Sequence, residues 1–146
     1  MSIIGGGGSG AGGAGNPVGG SNPAGIGTSI NYIGNHVYGY SGTVTLGDGA
    51  TVTCLDFTSG ANSYIVAKVQ AGFTSRSNDD TNFVIKIDGQ LVCSSLFNNT
   101  FSDSPVTAGS MHIIIPPSSR VQLQAIKIVG TANDTLQMWL TGRQYA

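Results

Sequence analysis

Glutamate is absent from this 146-residue chain, and all seven of its acidic side chains are aspartate. The first 47 residues carry no Asp, Glu, Lys or Arg at all. Charged residues make up 9% of the whole, against an ordinary level of about 25%. Glu, Lys, Arg and Ala ordinarily fill helix surfaces, so their scarcity argues against helices. A formal net charge of −1 excludes the basic field that gathers nucleic acid and the polybasic patch that binds anionic lipid. No stretch reaches the length of apolar run that a membrane helix needs. The start of the chain lacks the basic and apolar regions of a signal peptide, so the expectation is a protein made without conventional secretion. A surface this poor in charge is expected to be covered by neighbouring subunits.

Cysteine is nearly missing too. Cys54 and Cys93 fall on different expected strands, and neither has a second Cys or a His at metal-ligand spacing. They read as small buried hydrophobes or as a disulfide pair; sequence alone leaves both open.

What is abundant is glycine, which supplies 12 of the first 27 residues. Residues 1–27 read as an arm with no side chains from which to build a core. Ordering a residue costs roughly 1–2 kcal/mol, so fixing the arm in isolation would cost on the order of 30–50 kcal/mol. Two readings follow: a disordered tail, or an arm ordered against the surface of other protein subunits. In the second, the partner-binding residues are Ile3 and Ile4, an apolar anchor at the tip; Gly5, Gly10 and Gly15, which permit close backbone approach; and Pro17 and Pro23, which hold the chain extended or turned.

The remaining residues, 28–146, are rich in Thr, Ser, Asn, Val and Ile and read as one all-β domain of about 115–120 residues. Extended segments are expected at 28–33, 36–46, 51–57, 64–73, 83–87, 91–97, 111–115, 121–129 and 136–140. The clearest alternation puts Ile65, Ala67, Val69, Ala71 and Phe73 on one face. Gly47-Asp48-Gly49 and Asp88-Gly89 are hairpin signals, and Pro116-Pro117 stops a strand. In 121–129 the inward set Val121, Leu123 and Ala125 is followed by Ile126 and Ile128, which predicts a phase change at a bulge. About eight strands with hairpin turns suggest an antiparallel β-sandwich, a jelly roll.

The chemistry-bearing signals are weak. Gly8–Gly13 formally matches GxGxxG, but no strand precedes it and no amphipathic helix follows. His36 and His112 lie in strand patterns without a nucleophile at recognisable spacing, and read as strand residues or inter-subunit contacts. Residues 76–82 gather oxygen ligands without the spacing of a calcium loop, and read as a solvated loop or subunit contact. The sequons at Asn98 and Asn133 are read as coincidences of an Asn/Thr-rich chain. Tyr32, Tyr38 and Tyr40 form an aromatic group suited to core, oligomer contact or carbohydrate stacking, core or interface being preferred. No catalytic, cofactor or metal residues are expected, and the chain is not read as an enzyme.

The segments INYIGNHVYGYSGTVTL, SYIVAKVQAGF, NFVIKIDGQLV, IIIPPSSRVQLQA and LQMWLTGRQYA carry a resemblance from Ile30 to Ala146. Most of it lies in IIIPPSSRVQLQA and the closing LTGRQY. They resemble the small jelly-roll minor capsid, cement (decoration) or head-fibre proteins of bacteriophages and other double-stranded DNA viruses. Trimeric tail-fibre heads and C1q-like or tumour-necrosis-factor-like domains share similar strand-and-turn language. The resemblance implies a virion structural protein on the capsid or head surface, made in the host cytoplasm. It implies a homo-oligomer, a trimer, whose arm engages the major capsid protein or other virion proteins. The alternative is a receptor- or glycan-binding head of a fibre or spike, with recognition carried by loops 74–82 and 98–110.

Overall fold

Alternation sets the architecture, and it is cleanest in the fifth strand. Ile65, Ala67, Val69, Ala71 and Phe73 are all buried while Tyr64 and Val66 are exposed, so one face of that strand meets a core and the other does not. The computed structural model describes residues 30–75, 80–97, 109–130 and 132–146, with Val129 described by its backbone alone. The expected arm, residues 1–27, lies outside them.

Among the described residues ten strands follow in chain order: β1 (Ile30–Ile33), β2 (His36–Tyr40), β3 (Val44–Leu46), β4 (Thr51–Thr58), β5 (Tyr64–Ser75), β6 (Asp80–Ile87), β7 (Gln90–Phe97), β8 (Met111–Ile115), β9 (Arg120–Val129) and β10 (Asp134–Tyr145). They form two antiparallel sheets. Sheet A runs β1-β2-β10-β5-β8, with β3 also pairing β10, and sheet B runs β4-β9-β6-β7. Only β1–β2, β2–β3 and β6–β7 stay within a sheet; every other connection crosses from one sheet to the other. With β2 and β3 taken as one interrupted strand and β1 set aside as an added edge strand, β2-β10-β5-β8 and β4-β9-β6-β7 are the two four-stranded orders of a jelly roll.

The sheets close over a single apolar layer. Phe73 of sheet A meets Phe83 and Phe97 of sheet B with ring centroids 5.4 and 5.6 Å apart. Leu55, Phe57, Ile85, Val121, Leu123 and Ala125 face Leu136, Met138 and Leu140 across it, all of them buried. Asp88 and Gly89 both adopt positive φ (50° and 81°), the conformation a tight two-residue hairpin needs, and join β6 to β7 as expected.

Three expectations need correction. The single strand expected at 36–46 is two, because Gly42 takes φ 69° and breaks the ladder. Ser41 bridges the gap: its N–H donates to Met138 O, and its hydroxyl oxygen accepts from Met138 N–H, each at 2.9 Å. The turn at Asp48-Gly49 is a corner between sheets rather than a hairpin, since β3 pairs with β10 and β4 with β9. In β9 the faces do not exchange at Ile126: Ile126 is half-buried, Ile128 is exposed, and Lys127 points inward. An irregularity does fall at Ile128, which is skipped where Asp80 pairs Val129 and Thr81 pairs Lys127. Of the two readings left open for the cysteines, the disulfide is not formed: Cys54 and Cys93 are free. They sit on the two edge strands of sheet B, with β9 and β6 between, about 14 Å apart by strand spacing. A disulfide needs Cα atoms within about 7 Å. Burial pushes the Cys54 thiol up to about 12.

Candidate functional site

The outer face of sheet A collects most of the polar and aromatic side chains with chemical potential. Strand pairing arranges them in rows. Tyr145 lies opposite Tyr64, and their rings stack at 5.5 Å and 21°. The next row reads His36, Arg143, Val66, Ile114, and the one after it Tyr38, Thr141, Lys68, His112. A further row holds Tyr40, Trp139 and Gln70. Four strands contribute, so residues as distant in sequence as His36 and Arg143 become neighbours.

Two glutamines hold the aromatic row. The Tyr40 hydroxyl donates to Gln137 Oε1 at 2.6 Å, and the Trp139 indole N–H donates to Gln70 Oε1 at 3.3 Å. Beside this row lies a groove of about 380 Å³ whose walls include His36, Lys68, His112, Thr141, Arg143 and Tyr145. One Arg143 Nη2–H points at His36 Nε2, 3.4 Å away. Guanidinium has no acceptor, so Nε2 receives that contact only in neutral His36, with its proton on Nδ1.

The opposite sheet carries a bidentate ion pair at its surface. Arg120 Nε and Nη2 donate to Asp56 Oδ1 and Oδ2 at 2.9 and 2.7 Å. The Arg120 hydrogen bond, helped by Gln122, holds the Asp56 carboxyl below the usual aspartate range despite a smaller opposing effect of burial. The turn after β8 is stapled by Ser59, whose hydroxyl donates to Pro116 O and accepts from Ser119 N–H.

The expected site residues separate into three groups. Ile3, Ile4, Gly5, Gly10, Gly15, Pro17 and Pro23 lie outside the described residues. Tyr32 is in the core, 5% exposed, because β1 turns it inward beside Ile30, so it is unavailable as an oligomer contact. Tyr38 and Tyr40 are half-buried on the outer face of sheet A. His36 and His112, read separately in the sequence, are brought into the same groove. Of the loop at 76–82, residues 76–79 lie outside the described residues, while Asp80, Thr81 and Asn82 belong to β6. Loop 98–108 lies outside them as well. Among the described residues no group of three or more His, Cys or Asp could hold a metal ion.

Trp139, Gln70, Lys68 and Arg143 were not singled out by sequence reasoning. Their common signal was the alternation of β5 and β10, which sends Lys68 and Gln70, and Trp139, Thr141 and Arg143, to the outer side. Only the pairing of those two strands shows that the outer sets meet.

No protein-family model matches the sequence, and no curated protein matches it. Among solved structures, the chain aligns with infectious bursal virus derived T=1 particles at 12% identity and a TM-score of 0.49. A mutant VP2 protein of infectious bursal disease virus, also in derived T=1 particles, aligns at 12% identity and a TM-score of 0.47. A VP2 subviral particle of that virus gives 13% and 0.46. The alignments cover 80%, 80% and 79% of this chain and 34% of each of those, so it spans about a third of their length.

Proposed function

We propose that the chain is a virion structural protein, a minor capsid or cement (decoration) component without enzymatic activity. Its jelly-roll domain, residues 28–146, associates as a homotrimer, and its glycine-rich arm, residues 1–27, anchors it to the major capsid protein or other neighbouring virion subunits. The single observation behind this reading is a charge-free leader joined to a β-sandwich whose outer surface leaves large apolar side chains uncovered. Ile33, Val66, Leu91, Val92, Leu96, Ile114 and Ile128 are each between 43% and 64% exposed. Exposed apolar side chains on both sheets suit a surface that meets other subunits. The arm joins the domain at β1, the edge strand of sheet A, from which a chain can pass directly onto a neighbour.

Tyr38 and Tyr40, with Trp139, supply the oligomer contacts in this account. The Tyr40 and Trp139 rings, held by glutamine hydrogen bonds, contribute contact area at little entropic cost. The sequence resemblance to small jelly-roll capsid and decoration proteins supports the same reading. Glycine in the arm permits close main-chain approach, and strand addition supplies hydrogen bonds where side chains are missing.

Deletion of residues 1–27 tests the anchoring. The truncated protein is expected to keep the far-ultraviolet circular dichroism and melting temperature of the full chain while failing to co-sediment with particles. Attachment of the truncated form at full-length levels would contradict the role of the arm.

A further inference from the structure

Four nitrogen-bearing side chains converge on the outer face of sheet A, and none of the residues lining the groove between them is acidic. Arg143 lies directly across from His36, and Lys68 directly across from His112. Lys68 pairs with Thr141, two residues from Arg143 on the same strand face, so the two cations are diagonal neighbours. Like charges at such spacing repel. A chain with only six Lys and Arg residues has placed two of them here. Among the described residues, neither Lys68 nor His112 has a side-chain hydrogen bond or ion pair, and Arg143 makes only its contact with His36. Arg120 and Lys127, by contrast, are paired with Asp56 and Asp134.

We propose that this groove binds an acidic saccharide unit, its carboxylate held between Arg143 and Lys68. The guanidinium offers a planar fork that matches a carboxylate, and the ammonium adds a second charge. A volume of about 380 Å³ accommodates one sugar ring. The Thr141 hydroxyl and the two imidazoles, interleaved with the cations, donate to and accept from sugar hydroxyls. Tyr145, stacked on Tyr64, adds an aromatic ring to the groove wall. These interspersed hydroxyl and imidazole groups suit a polyhydroxylated ring, whereas an acidic peptide needs only a row of cations. The inference stands on the groove and not on the arm, and it requires that the oligomer contacts proposed at Tyr38, Tyr40 and Trp139 leave the groove open.

The test is a titration of the full-length, ¹⁵N-labelled chain followed by heteronuclear NMR, with glucuronate, glucose, sodium sulfate and a hexa-aspartate peptide as separate probes. Glucuronate is expected to give saturable shifts centred on His36, Lys68, His112, Thr141 and Arg143, with glucose giving none. Arg143→Gln and His112→Gln, both at exposed positions, are expected to keep the dispersed spectrum and weaken glucuronate binding by at least tenfold and severalfold. Absence of saturable shifts with glucuronate would overturn the proposal. Equal binding of sulfate, or tighter binding of the aspartate peptide, would overturn the assignment to a saccharide.

Discussion

Lys127 Nζ stands 3.3 Å from Asp134 Oδ2, and neither side chain reaches solvent. The ammonium also donates to the backbone carbonyl of Ala132, so this pair ties the end of β9 to the start of β10 through their shared connection. A buried ion pair is worth little over an apolar substitute, but removing one partner strands the other.

Lys127→Met is therefore expected to destabilise the domain by about 3–5 kcal/mol, because it leaves the Asp134 carboxylate buried without its cation. Lys127→Met combined with Asp134→Leu should recover much of that loss. Urea denaturation of the two variants checks this. If the single variant were as stable as the parent, the pair would not be the structural tie described.

Asp56 and Arg120 behave differently because they are exposed to solvent. The folded Asp56 carboxyl titrates below its ordinary value of 3.8, so the bridge contributes its full stability above that value. The contribution is lost as pH falls through the lower folded-state value. The gap in denaturation midpoint between the parent and Asp56→Asn should thus be widest from neutral pH down to mildly acidic pH and close below it. Added salt should narrow it as well. A gap that widened with acidification would contradict the assignment.

Gly142 of β10 pairs with Ala67 of β5, where there is no room for a side chain. A Cβ built there would lie 2.4 Å from the Val66 carbonyl oxygen and 3.0 Å from Ala67 Cα, both backbone atoms that yield only if the strands part. Gly142→Ala is expected to cost about 1–3 kcal/mol through overpacking. Faster amide exchange in residues 64–69 should accompany it, while Thr141→Ala on the exposed neighbour should change little. An unaltered melting temperature for Gly142→Ala would show that the strand spacing is adjustable.

Much of the sandwich was legible because its signals are local. The alternation from Ile65 to Phe73 needs only neighbouring residues, as do the positive-φ turn at Asp88-Gly89 and the stop at Pro116-Pro117. The break at Gly42 was not legible, since it depends on Ser41 catching Met138 from the far end of the chain. Lys127 was misplaced because alternation assigns an apolar residue to the interior, and Ile126 and Ile128 were at hand. Its burial goes with that of Asp134, whose inward turn has no local signal. Tyr32 looked like its neighbours Tyr38 and Tyr40 until β1 was seen to pair with β2 at the sheet edge. The groove was hidden most completely, because its walls come from β2, β5, β8 and β10. Two histidines that meant nothing apart gain significance from the cations between them.

The central claim is that this protein is a building block of a virus particle. Particles purified by density gradient from the culture that produces the chain, probed with a gold-labelled antibody to the jelly-roll domain and quantified by mass spectrometry, test it directly. The account predicts a fixed copy number per particle and gold at regular positions on the particle surface. Recovery of the chain only from the particle-free fractions would contradict it.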